Sequence, residues 1–136
     1  MFHLRQVEKY MRMCRTIAKK NKDCTEWKIG AVIVNRKGTV IGKGYNRYSG
    51  QIKVIERNFN IKGWWTLHAE ASAILDAIEN KKDMQGAIIY IDGVKNTGGK
   101  VFSRPCCKCL ELINAVGIAA MVYSEKNAIK IERAGT

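Results

Sequence analysis

The chain has 136 residues, 46% of them hydrophobic, with 24 Lys plus Arg against 12 Asp plus Glu for a formal net charge of +12. Its length fits a single domain, residues 1–136, with a core that needs no staples, and one proline with no Ser/Gly tract or repeat leaves no linker to divide it. An odd count of five cysteines argues against a disulfide framework, and neither a signal peptide nor an apolar run of membrane-span length is found, so the expected setting is the cytoplasm, with no membrane partner.

In chain order the first predicted element is a helix. On a 100° wheel Arg5, Lys9, Arg12, Arg15, Lys19, Lys20 and Lys22 occupy one arc, and Val7, Tyr10, Met11, Cys14, Ile17 and Ala18 the opposite one. This is a core-packing helix with a basic outer stripe, more often a solvated face than a nucleic-acid groove. The β-branched run Trp27 to Val34 and the run Thr39 to Tyr45 flank an Asn35-Arg36-Lys37-Gly38 turn and form a hairpin. From Asn46 to Leu67 there is no clean periodicity, which predicts a long functional or mobile loop.

A second helix opens just after His68 and reaches about Asn80. Ala87 to Asp92 is a third strand, continuous enough to be buried, and Gly93 to Phe102 reads as a loop. A third helix spans Pro105 to about Val116, with Gly117 as its C-terminal cap, and Ile118 to Ser124 is a fourth strand. Only Glu125 to Ala128 separate it from Ile129 to Arg133, too few residues for a parallel crossover. A last strand there pairs antiparallel; a frayed helical tail is the other reading. The order implies a central sheet with helices packed on it and the last two helices side by side.

Those two helices carry the chemistry. His68-Ala69-Glu70 supplies an imidazole and a carboxylate, and Pro105-Cys106-Cys107-Lys108-Cys109 supplies two sulfurs three residues apart on one helical face. Helix N-termini favour thiolates. His68, Cys106 and Cys109 are therefore candidate Zn2+ ligands, three in number, leaving a fourth position for a water whose pKa falls to about 7. Glu70 is the catalytic proton carrier. The pattern matches the established zinc-deaminase signature H-x-E…P-C-x-x-C. A closed four-ligand structural zinc is disfavoured because Cys107 lies roughly 100° from Cys106 around the helix; Cys107 is expected as a packed thiol.

From Trp27 to Ser124 the chain resembles the cytidine and deoxycytidylate deaminase superfamily. Trp27-Lys28-Ile29-Gly30-Ala31-Val32 and Gly44-Tyr45-Asn46 are most similar to its deoxycytidylate deaminases. Arg47 to Gly50, where those enzymes usually have Gly and Pro, and Arg104, where Ser commonly precedes Pro-Cys, depart from them. The resemblance implies a three-layer α/β cytidine-deaminase-like fold, a mixed sheet of about five strands with helices on both faces, and a homo-oligomer. It also implies that Asn46 bonds a sugar hydroxyl or the base edge and that the Ala69 N–H faces the ring carbonyl. A carbonyl of Ser103 or Arg104 would receive the exocyclic amine.

The leading function is hydrolytic deamination of a free cytosine nucleotide or nucleoside, dCMP-like, with Arg47, Lys53, Arg57 or Arg104 as phosphate contacts. The alternative is a nucleic-acid deaminase acting on cytosine or adenine in single-stranded DNA or tRNA. The net charge and the interleaving of Tyr48, Phe59, Trp64 and Trp65 with Arg47, Lys53, Arg57 and Lys62 favour it. Core or interface packing is the competing account of Trp64 and Trp65. A non-catalytic zinc module would leave Glu70 idle.

Overall fold

The computed structural model describes residues 3–22, 27–64, 66–95, 98–99, 101–126 and 128–134. Helix α1, Leu4–Lys19, turns Val7, Tyr10, Met11, Cys14 and Ala18 inward, as its wheel requires. The basic stripe is shorter than expected. Lys20 caps the helix and Lys22 lies beyond it, while Arg15 leaves the solvated face to pair with buried Asp92 at 2.6 Å.

Strands β1, Trp27–Val34, and β2, Val40–Tyr45, form the hairpin. Asn35 Oδ1 accepts the N–H groups of Lys37 and Thr39, and Gly38 takes the positive φ that the turn demands. Next comes a helix the sequence reading did not anticipate, α2, Ile52–Phe59, whose one buried residue is Ile55. The remaining elements are α3, Ala69–Glu79; β3, Ile88–Lys95; α4, Cys107–Ala115; β4, Ala120–Glu125; and β5, Ala128–Arg133.

The five strands form one mixed sheet in the order β2-β1-β3-β4-β5. β3 and β4 are parallel, joined through α4, and the other neighbours are antiparallel, including β4 with β5. Alternation sorts the strand side chains onto two faces. Val32, Val34, Tyr90 and Val122 meet α1 on one, and Ala31, Ile33, Ile89, Ile91, Met121 and Tyr123 meet α3 and α4 on the other. This is the expected three-layer arrangement.

α3 lies unusually close to β2 because Gly44 has no side chain: a Cβ there would stand 2.3 Å from the Ala73 backbone nitrogen. Asp76 of α3 reaches over the outer strand and its Oδ2 accepts the Lys43 N–H at 2.9 Å. β3 also outruns its predicted end. Gly93 was expected to open a loop, yet it stays in the strand, where a Cβ would meet the Lys28 carbonyl oxygen at 2.2 Å. Among the described residues no helix is long and apolar enough to cross a membrane.

Candidate metal centre

Two short bridges bring the chain to the site. Arg47 pairs with Leu67 immediately before His68, and Phe102 pairs with Glu125 before Cys106. His68 and Cys106 are the extended N-cap residues of α3 and α4. Their carbonyls accept the N–H groups of Ser72 and Leu110 at 2.9 Å, which fixes each backbone while the side chain remains available. Pro105 therefore precedes the helix instead of opening it, and Cys106 and Cys109 stand as N-cap and third helical residue. Cys107 is the first helical residue and is exposed, not packed as expected.

The structure brings His68, Cys106 and Cys109 together, with all their donor atoms within 4.8 Å of one another. His68 Nδ1 lies 3.5 Å from Cys106 Sγ and 3.3 Å from Cys109 Sγ. A tetrahedral zinc with bonds of about 2.3 Å to sulfur and about 2.0 Å to nitrogen would separate such atoms by roughly 3.5 Å. The donors thus fit the ion in chemistry and in spacing.

The electrostatics agree with that fit. The Cys106 thiol is pulled down to about 3, chiefly by its hydrogen bond with Cys109 and further by His68. Cys109 is pushed up by the same bond and by burial. The two sulfurs are joined by a hydrogen bond, and a divalent cation between them would favour a thiolate at both. His68 is raised, first by its hydrogen bond to Cys106. Glu70 is 6% exposed, and burial raises its carboxyl above the ordinary range, toward the values useful for proton exchange near neutral pH.

Beside the donors opens a cleft of about 270 Å³ lined by Ile29, Asn46, Thr66, His68, Ala69 and Glu70 on one side and by Phe102, Ser103, Arg104 and Cys106 on the other. All seven residues singled out by sequence border this site: six line the cleft and Cys109 completes the donor set. Asn46 is firmly held: its Oδ1 accepts from Ile29 N–H and Asn21 Nδ2, both at 2.9 Å, and its Nδ2 donates to the Trp27 carbonyl at 3.0 Å. Arg104 does not reach out as a free cation. Its Nε and Nη2 donate to Glu132 of β5 at 3.0 and 3.1 Å, and the Tyr123 hydroxyl donates to the same carboxylate at 2.6 Å.

Sequence reasoning missed the Ser103 hydroxyl. It donates to the Ile91 carbonyl and accepts the Ser124 N–H, both at 2.7 Å, stapling the approach to Cys106 onto β3 and β4. A serine three residues before a ligand cysteine was the available signal. Of the aromatic and basic residues between Arg47 and Trp65, Tyr48 is 71% exposed, Arg47 bonds Gln51, and Trp64 packs against His68. Trp65 lies outside the described residues.

Known proteins resemble this chain over most of its length. The family described as "Cytidine and deoxycytidylate deaminase zinc-binding region" matches residues 4–125. A deoxycytidylate deaminase of Mycobacterium phage D29 is 29% identical over 135 residues, covering 88% of this chain and 95% of its own. That of Mus musculus is 26% identical over 129 residues, 89% of this chain and 65% of its own. Among solved structures, dCMP deaminase from the cyanophage S-TIM5 in complex with dCMP and dUMP superposes with a TM-score of 0.67 at 18% identity, over 90% of this chain and 83% of that one. Cytidine deaminase from Burkholderia pseudomallei gives 0.67 at 19%, over 99% and 94%. At these identities the structures speak for the fold alone.

Proposed function

Because the chain belongs to the cytidine and deoxycytidylate deaminase zinc-binding family, we propose that it is a zinc-dependent hydrolase that converts the cytosine of a free, dCMP-like nucleotide to uracil with release of ammonia. The observation that carries this reading is the convergence of His68, Cys106 and Cys109 beside a buried Glu70 in one cleft. The deoxycytidylate deaminase relatives support the choice of substrate.

His68, Cys106 and Cys109 would hold the ion. When bound, zinc supplies a Lewis acid that makes water nucleophilic near neutral pH. Glu70 takes the proton released by the attacking water and returns it to the pyrimidine ring nitrogen, then serves the departing amine. A C4–O bond forms, the C4–N bond breaks, and ammonia leaves. The burial that raises the Glu70 carboxyl suits it to accept and return a proton within one turnover.

The Ala69 N–H belongs to the first turn of α3, where helices leave donors without intrahelical partners, and it is assigned to the ring carbonyl. Asn46 forms the wall at the sugar or base edge, and the Ser103–Arg104 backbone receives the exocyclic amine. We further assign residues 1–136 to one catalytic domain, working in the cytoplasm as a homo-oligomer.

The test is a mass assay over cytosine, cytidine, deoxycytidine, their mono- and triphosphates, single-stranded DNA and a tRNA stem-loop. Turnover of dCMP above the nucleosides is expected. Conversion confined to the polymers, with salt-sensitive binding through counterion release, would replace this reading with a nucleic-acid deaminase.

A further inference from the structure

Trp64 is not part of the cleft wall. Its indole meets the His68 imidazole with ring centroids 4.9 Å apart and planes at 79°, an edge-to-face contact. The indole is itself mounted. Its Nε1–H donates to the carbonyl of buried Ile61 at 2.9 Å. The intervening Gly63 is held from two sides: its N–H donates to Glu56 of α2 at 3.3 Å, and its carbonyl accepts from Lys108 of α4. The Lys108 ammonium also stands over the indole, 5.9 Å from its centroid.

A metal-bound histidine is ordinarily oriented by a hydrogen bond from its second ring nitrogen to a carboxylate or carbonyl. Among the described residues, the hydrogen bonds of the His68 ring run through Nδ1 to the two sulfurs, and no such acceptor meets Nε2. Beside those sulfur contacts, the contact that meets the ring itself is the Trp64 edge-to-face one. An imidazole at a helix N-cap that is free to turn would lose that freedom on binding, and the affinity would fall accordingly.

We infer that Trp64 is a positioning residue for the metal ligand His68: its mounted indole fixes the imidazole so that Nδ1 faces Cys106 and Cys109. The inference rests on the proposed metal reading, and the test separates the two. Zinc affinity of the full chain is measured by competition with a chromophoric chelator, alongside the thermal midpoint of the metal-free protein.

Trp64→Leu is expected to bind zinc about ten- to a hundredfold more weakly, the usual effect of losing an orienting partner. Trp64→Phe, which keeps an edge-to-face ring, should stay within about threefold of the parent. Glu56→Ala loosens the mount without touching a residue that meets the ring, and should weaken zinc by about tenfold. If Trp64→Leu binds zinc like the parent, or Trp64→Phe loses as much as Trp64→Leu, the inference falls. Should Trp64→Leu not fold, unchanged affinity in Glu56→Ala overturns it just as directly. A parent chain that binds no zinc would instead sink the proposed function.

Discussion

α3 forms part of the site wall and α2 reaches it through the Glu56–Gly63 bond that mounts Trp64, and the two helices are built in opposite ways. Eight of the eleven residues of α3 are buried, from Ala69 through Leu75 and at Ala77, so its position is dictated from every side. α2 buries Ile55 alone among eight. The helix that carries the chemistry is thus part of the core, whereas α2 rests on it through buried Ile55 and half-buried Ile52 and Phe59. Ligand geometry follows from the packing of the sheet, and the mount of Trp64 is the adjustable part.

The sharpest tests strike the rigid side. His68→Ala or Cys109→Ala should lose bound zinc and all measurable turnover, read by elemental analysis and ammonia release; full zinc in Cys106→Ala would break the ligand assignment. Glu70→Gln should keep metal and fold but slow turnover by about 10²- to 10⁴-fold. A parental rate in that variant would leave the buried carboxylate without a task.

Two substitutions then measure the contrast itself. Gly44→Ala places a methyl against the Ala73 backbone, which cannot yield as a side chain can, and should cost about 3 kcal/mol in denaturant unfolding. Ile55→Ala removes the one fully buried side chain of α2 and should cost about 2 kcal/mol. Hydrogen exchange separates the cases: α2 amides should exchange faster while α3 amides keep their protection. Equal acceleration in both helices would show that α2 is not an independent unit. The smallest effect is expected on the opposite face of the sheet, where replacing Arg12, Lys19 and Lys20 by Gln should leave kcat/KM for dCMP within about twofold, because screening mutes distant exposed charges.

The rigid side was also the legible one. Cys106 and Cys109 are three residues apart, which puts them on one face of a helix start, and His68 and Glu70 were legible as the H-x-E half of the deaminase signature. The antiparallel β5 followed from a connection too short to cross over. α2 escaped although Ile52, Ile55 and Phe59 have helical spacing, because eight residues carry too little pattern to stand out among Arg47, Lys53, Arg57 and Lys62. Gly93 misled for a different reason: in this strand a glycine marks close backbone approach, not a break. The bonds of Arg104 to Glu132, 28 residues away, and of Ser103 to Ser124 depend on strand order, which no local spacing encodes.

The reach of Asp76 over β2 has a further consequence. β2 is the outermost strand on its side of the sheet, and an outermost strand offers unpaired amides to any extended chain that drifts past. By taking the Lys43 amide, the Asp76 carboxylate blocks that template at its centre and sets a negative charge where an incoming backbone carbonyl would have to dock. The same helix that holds the metal ligand thereby guards the protein against strand-to-strand aggregation.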